Sequence, residues 1–504
     1  MNFIDKTISF INPTKGLKRS QSRLAMTVIE GKMKTFDEKR NFDIASKGRR
    51  NNGWLRPETS GAQEASKAFR LAASSAQELT RNNPLALRIK RVWSGNIVGG
   101  GISLDVTGSS ELKTKKFMTT YEEWAESTDC DFEGHNTFYG LQTLWVDTVV
   151  ETGGVFIRKH INKKKKFPLQ LQTIEQGFLD VSKNGETEDG EVLIDGIQYD
   201  TNGQVEGYWL NKEKTNTQLG RPPKSIFHSS KNMIHIYRKD RAGQHLGITW
   251  YHSVATTLKN YNTLQDAKLM QQQIAACFAL IVENADSEMG VGGDGGGLPD
   301  TIEPAMIEYV KAGQKVTTIS PPKADSSNAF DVAIKRDIAS GVDITYEQLT
   351  GDYSLVNFAS GRMGKSDFFI QLDKYQQQLI KPKLNNIFSW FVDVYEIKNG
   401  GNNNFVSSWT FPSRAAVNPQ EEFDVLMSKV RHGMLSPHKA AKQLGEKLSE
   451  VVDQWKKDKE LFGELPFDID PSLFASTGNQ LNVDDAASGN AETKTKKEKK
   501  VKDV

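Results

Sequence analysis

The chain has 504 residues, 37% apolar and 25% charged, which is room for two to four domains around a sizeable core. Its 65 Lys/Arg against 63 Asp/Glu leave a net charge of +2, so a nucleic-acid binder that is basic over its whole surface is not indicated. The two cysteines, Cys130 and Cys277, lie far apart and exclude a disulfide framework or a cysteine metal motif, and no apolar run reaches the roughly eighteen residues of a membrane span.

The charge is uneven. Residues 1–53 hold twelve Lys/Arg against five Asp/Glu, and the first sixty residues lack sustained periodicity. They read as a basic arm, and no apolar core with a small-residue cleavage site marks a secretory signal. Gly61–Leu79, GAQEASKAFRLAASSAQEL, is Ala-rich without a breaker and predicts a helix. Asn83-Pro84 starts a second one, with Leu85, Ile89 and Val92 or Trp93 on one side. It stops at Gly99-Gly100-Gly101. Those glycines do not make a dinucleotide site, because a helix precedes them and the extended run ISLDV follows.

Lys116–Asp129 and Phe138–Thr152 predict two amphipathic helices, with Trp124, Leu141, Leu144, Trp145 and Val149 as packing residues. Residues 153–250 change character. Val155–Ile161, Leu169–Ile174, Ile194–Tyr199 and Val205–Leu210 read as strands, and Asp200-Thr201-Asn202-Gly203 supplies a hairpin turn. Lys163–Lys166 reads as a solvated hairpin tip. His228, His235, His245 and His252 are spaced too widely for ligands on one face, so no metal site is expected.

From Thr249 the spacing of Trp250, Val254, Leu258, Tyr261 and Leu264 predicts a helix reaching Ala276, roughly 40 Å long. Met289–Asp300, MGVGGDGGGLPD, predicts a flexible loop, in which Asp294 alone is too few ligands for calcium. Ile302–Lys311 reads as a short helix and Lys315–Ile319 as a strand. A second long helix is predicted over Asn328–Glu347, and a third from Gly361 to about Tyr395 with a kink at Pro382. Three short helices follow: Pro419–Arg431, Ser436 to Gly445, and Ser449–Leu461. From about residue 475 the chain is polar and low in complexity, ending in the basic run TKTKKEKKVK. The fold class is α+β, mainly helical.

Leu349–Phe369, LTGDYSLVNFASGRMGKSDFF, supports two incompatible readings. ASGRMGKS, Ala359–Ser366, fits a loosened phosphate-loop pattern, in which Lys365 would grip phosphates and Ser366 magnesium, with Asp393 at a magnesium-binding strand end. An ATPase of that kind needs parallel strands alternating with helices, and no such repeat surrounds Lys365. The second reading is a short exposed loop, Gly351–Ser360, leading into a long helix. Long apolar helix faces that one copy leaves uncovered would be buried in a ring of copies.

The chain resembles the portal proteins of tailed phages, specifically the lambda-type family. The resemblance rests on RNNPLALRIKRVWSGNIVGGGI (81–102), FYGLQTLWVDTVVETGGVFIRK (138–159), IHIYRKDRAGQHLGITW (234–250), LTGDYSLVNFASGRMG (349–364) and FPSRAAVNPQEEFDVLMSKVRHGMLSPHKAAKQLG (411–445) in their order and spacing. After the basic arm (1–60) it implies a wing (61–248), a first stem helix (249–276), a clip (277–327) and a second stem helix (328–348). The tunnel loop and kinked helix (349–409) and a crown (410–465) would follow, while the basic tail (466–504) is particular to this chain.

A family member is a twelve-fold ring at one capsid vertex, in the virion and, during assembly, in the host cytoplasm. It is not an enzyme and has no cofactor. Duplex DNA passes through the channel, the ATP-driven terminase large subunit docks, the major capsid protein surrounds the ring, and head-completion proteins bind later. The resemblance places Asp352, Tyr353, Ser354 and Asn357 in the tunnel loop. Arg362 and Lys365 follow that loop, and Lys335 and Arg336 are stem-channel candidates. Gly290, Asp294 and Gly297 fall in the clip. The loop itself carries no basic residue, which suits sliding DNA, since many phosphate contacts would act as a brake.

Overall fold

A computed structural model describes Gly61–Gly463 except residues 188–189, 213–223, 278–280, 283–307, 310–326, 355, 402–403 and 415–417. Ahead of Gly61 it describes residues 13–15, 18, 21–29, 53, 55 and 58–60. The chain divides into a short unit, Met1–Ser60, and a body beginning at Gly61. In the first unit residues 21–29 are helical, with Leu24, Met26, Val28 and Ile29 exposed. Their near-alternation hides the helix from a periodicity reading.

The body opens on α1 (Gly61–Asn82) and α2 (Pro84–Ile97). The Asn83 side-chain oxygen accepts from the N–H groups of Leu85 and Ala86 at 2.8 and 3.0 Å, capping α2 as its sequence predicts. β1 (Ser103–Thr107), α3 (Glu111–Glu126) and α4 (Phe138–Thr152) follow. α4 packs against α1 and α2, burying Trp93, Leu141, Trp145 and Val149.

Two antiparallel sheets flank these helices. In the first, β2 (Gly154–Ile161) lies between β3 (Leu169–Glu175) and β9 (Met233–Tyr237). The second is a meander of β4 (Gly185–Glu186), β5 (Val192–Ile194), β6 (Ile197–Tyr199), β7 (Val205–Asn211) and β8 (Ser225–Ser229). The single strand expected over Ile194–Tyr199 is therefore a hairpin. Asp195 and Gly196 both take positive φ, 50° and 78°, as a two-residue hairpin turn requires. The lysine tip is the solvated turn between β2 and β3 that its sequence predicts, with Lys163, Lys164 and Lys166 exposed and Lys165 and Lys166 reaching Asp129 and Glu123 at 2.7 Å across the surface.

One backbone crossing ties the sheet to the helices. Gly153, at φ 96°, ends α4, and a Cβ on Gly247 would lie 1.9 Å from the Gly153 carbonyl oxygen. Buried Gln176 clamps the crossing from the side. Its amide donates to the Gly247 carbonyl at 3.0 Å, and its oxygen accepts the Gly247 N–H at 2.9 Å. His235 on β9 approaches the same oxygen at 3.1 Å and stacks on Phe156.

Burial holds the His235 imidazole well below its usual pKa, with smaller contributions from Lys383 and His245. In the window below about pH 6.5 the unfolded chain binds the proton and the folded chain does not, so the stability that is full above that pH falls as pH drops. Melting temperature is expected to fall between about pH 7.5 and 5, and to fall less in His235→Gln. His160 and His228 are shifted the same way by burial, so part of the drop persists. Equal drops in both proteins would mean that His235 is protonated in place.

Beyond Gly247 the chain turns before it winds. The Trp250 N–H donates to the Val150 carbonyl at 3.0 Å and the Thr249 hydroxyl to the same oxygen, so the expected start at 249 moves to α5 (Ala255–Cys277). Ile281–Val282 and Glu308–Tyr309 pair as parallel strands, β10 and β11, which corrects the helix expected across 302–311. The rest of the glycine-rich stretch, with Gly290, Asp294 and Gly297, lies outside the described residues.

The second long helix is also two. α6 (Ser327–Gly341) breaks at Val342–Thr345, where Asp343 takes φ 56°, and α7 (Tyr346–Thr350) restarts with a capping box of Thr345 and Gln348. α8 (Phe358–Lys374), a π turn (Tyr375–Ile380) and α9 (Lys381–Asn399) then follow one another without a break. The irregularity precedes Pro382, whose missing N–H frees a carbonyl one turn back. β12 (Val406–Thr410) returns to pair with β1, an association not legible in the sequence pattern. α10 (Pro419–Arg431), α11 (Pro437–Gln443) and α12 (Leu448–Phe462) end the described chain. The observed fold is α+β and mainly helical. No helix among the described residues is long and apolar enough to cross a membrane.

Candidate functional site

The exposed loop between α7 and α8 is built from local hydrogen bonds. Gly351, at φ 73°, caps α7 by donating its N–H to the Glu347 carbonyl at 2.7 Å. The Asp352 carboxylate accepts the Ser354 N–H at 3.0 Å, and bonds from the Ser354 side chain and backbone hold its pKa below the usual range. Asn357 caps α8, accepting the Ser360 N–H at 2.8 Å. This cap shortens the expected loop, Gly351–Ser360, to Gly351–Asn357. Asp352, Tyr353, Ser354 and Asn357 are all exposed, Tyr353 by 57%.

That geometry removes the phosphate-loop reading. Ala359–Ser366 all lie within α8, where the Ser360 N–H is taken by the Asn357 cap and the N–H groups from Gly361 onward are spent on helical bonds, so no glycine-rich loop is left to wrap a phosphate. Ser354 is in a turn, Asn357 is the cap of α8 and Phe358 its first residue, and Asp393 lies on α9, so the described residues form neither proposed strand. Lys365 is half-buried instead, lining a hollow between α7 and α8 with Thr345, Gln348, Tyr353 and Val356.

The cations after the loop and on α6 have partners within the chain. Arg362 reaches Glu421 of α10 at 3.6 Å, both about half exposed. On α6 Lys335 sits over the Tyr261 ring at 5.9 Å and Arg336 over the Tyr346 ring at 5.7 Å. These contacts fix the approach of each side chain without burying its charge. Among the described residues no group of three His, Cys, Asp or Glu could hold a metal ion.

The loop is mounted on α2. The Trp93 indole N–H donates to the Val342 carbonyl at 3.1 Å, and the Arg88 guanidinium to the Gln348 carbonyl at 2.8 Å. Trp93 also packs on Trp250, Phe368 and Tyr375, with ring centroids 5.1, 5.2 and 5.1 Å away. Gln376 of the π turn donates to the carbonyls of Asn96 and Ile97. Arg88 and Gln376 carry no sequence signal of this role. Trp93 does, as a large aromatic on the apolar side of α2.

A sequence model of the lambda family of phage portal proteins matches residues 47–376. A protein named "Probable portal protein" from Halomonas phage phiHAP-1 is 25% identical over 348 residues, covering 65% of this chain and 67% of its own length. "Portal protein B" of Escherichia phage lambda is 20% identical over 341 residues, covering 59% and 64%. The match thus spans about two thirds of each relative. Among solved structures, a chain in the neck of an empty gene transfer agent particle has a TM-score of 0.42 and 14% identity, covering 75% of this chain and 94% of that one.

Proposed function

The chain belongs to the lambda family of phage portal proteins, and from that premise we propose that its copies close into a ring at one capsid vertex, through which duplex DNA enters and leaves. The observation that carries the ring is apolar surface left open on the helices framing the loop. Leu269 and Met270 on α5, Phe330 on α6, and Met363 and Ile370 on α8 are between 57% and 73% exposed. A lone subunit would not keep so much apolar surface in water, and cyclic repetition covers it side by side.

On this reading Gly61 to about Ile248 is the wing, α5 and α6 are the stem, and residues 278–326 are the clip. Gly351–Asn357 is the tunnel loop and α10–α12 the crown. Twelve copies is the number the family resemblance implies. The loop, with Asp352 and no cation, meets passing DNA by steric contact. Lys335 and Arg336, held by aromatic rings yet not neutralised, lie on the stem where phosphates would pass.

ATP hydrolysis belongs to the terminase large subunit docked at the clip, so the portal itself needs no catalytic group. Head-completion proteins take the same end later, and the major capsid protein surrounds the ring. Assembly takes place in the host cytoplasm and the finished ring stays in the virion.

Electron microscopy of the purified chain, classified by rotational symmetry, tests this. Rings of about twelve subunits with an open axial channel are expected. Compact monomers without a channel would overturn the reading.

A further inference from the structure

The three helices that end the described chain are joined to the rest by polar contacts more than by apolar packing. α10, α11 and α12 lie against one another. Among their described residues only Val430 and Ala440 are buried apolar side chains, and neither belongs to the apolar core of the body. What holds the unit is a seam of polar and charged groups. On β1 the Asp105 carboxylate, 14% exposed, meets His438 of α11 at 3.4 Å. Lys442, one turn further along α11, reaches the Ser408 hydroxyl on β12, the strand paired with β1, and feels the same carboxylate. Buried Lys447, at the head of α12, lies 3.8 Å from Glu122 of α3 and 2.6 Å from its own Glu450. Arg362 of α8 faces Glu421 of α10 at 3.6 Å.

The seam is closely balanced. Burial pushes the Glu122 carboxyl up and the Lys442 amine down, each toward its neutral form, against the opposing pull of Lys447 and Asp105. Desolvation thus offsets much of what these contacts gain. The side chains of Arg362, Glu421 and His438 are between 46% and 53% exposed, open to dissolved ions.

We infer that this seam is a latch, and that screening or removing its charges releases α10–α12 from the body as one unit while the body stays folded. The latch lies within a single copy, so it goes beyond the ring reading and does not depend on it. Salt shortens the reach of a charge from about 10 Å at 0.1 M to about 3 Å at 1 M. It does not weaken apolar packing, so the body keeps its core. Three short helices with so little core of their own then fray, and their amides exchange with solvent.

Hydrogen exchange of the full chain, read by mass spectrometry at about 0.05 M and about 1 M sodium chloride, tests this. Peptides of α10 and α11 are expected to exchange at least about tenfold faster at the higher salt, with those of α2 and α4 unchanged. The double variant Asp105→Asn, Glu122→Gln is expected to exchange faster already at low salt and to respond less to added salt. Exchange in α10 and α11 that ignores both salt and the substitutions would overturn the latch, because docking would then rest on packing. An equal rise in α2 and α4 would overturn it too, since the three helices would not part from the body alone. So would a rise confined to preparations whose particles, by microscopy, have come apart.

Discussion

Gly247→Ala is expected to abolish soluble expression or to lower melting by roughly 10 °C, since a Cβ added at no other described glycine would come so close to a neighbouring atom. The added carbon would lie 1.9 Å from the Gly153 carbonyl oxygen and 2.7 Å from the Tyr237 Cβ. The obstacle is backbone, not a side chain that can swing aside. Gly153 cannot retreat, because its φ of 96° and its N–H bond to Val149 end α4. Opening the crossing also breaks both bonds from buried Gln176, each costing about 1–3 kcal/mol when left unmade. Overpacking adds about 1–3 kcal/mol, so the total takes much of a stability of roughly 5–15 kcal/mol. Thermal melting and soluble yield measure it. A variant melting within a degree or two of wild type would show that the crossing relaxes freely.

Replacing Asp352–Val356 by a short Gly-Ser linker is expected to leave ring formation unchanged while DNA-filled heads fall to the level of an empty-capsid control. The loop is exposed and braced by its own bonds, Asp352 to Ser354 and Asn357 to Ser360. Its frame is held from α2 by Arg88 and Trp93, so shortening the loop removes no core contact of those anchors. What goes is the exposed Tyr353 and the carboxylate beside it. Asp352→Lys probes the opposite fault. One added cation per copy would grip phosphate, and packaging would slow most at low salt. Ring counts by microscopy and packaged DNA per head measure both. Loss of rings in the linker variant would make the loop an assembly joint.

Much of the helical skeleton is legible because its signals are local. Asn83-Pro84 and Pro419 start helices where expected, Gly153 ends one, and α4 has the predicted bounds. The loop is legible too, since Gly351 and Asn357 are a C-cap and an N-cap written in the sequence. What escapes depends on distant partners. β12 is a strand because β1 lies beside it, some three hundred residues earlier. Trp250 has helical spacing yet is held out of α5 by Val150. The break at Asp343 is hidden because Phe330, Ile334, Ile338 and Val342 keep helical spacing right up to it. GRMGKS matches a phosphate loop in letters only, since the pattern does not record that the segment is helical.

That break between α6 and α7 has a mechanical consequence. An unbroken helix is a stiff rod that transmits twist along its axis. Here the rod is cut at Asp343, whose left-handed backbone costs about 1–2 kcal/mol; α2 holds the near side of the cut through the Val342 carbonyl and α7 beyond it through the Gln348 carbonyl. A twist applied to α5 and α6 would therefore meet a break in the helix and two bonds to α2 before it reached the loop.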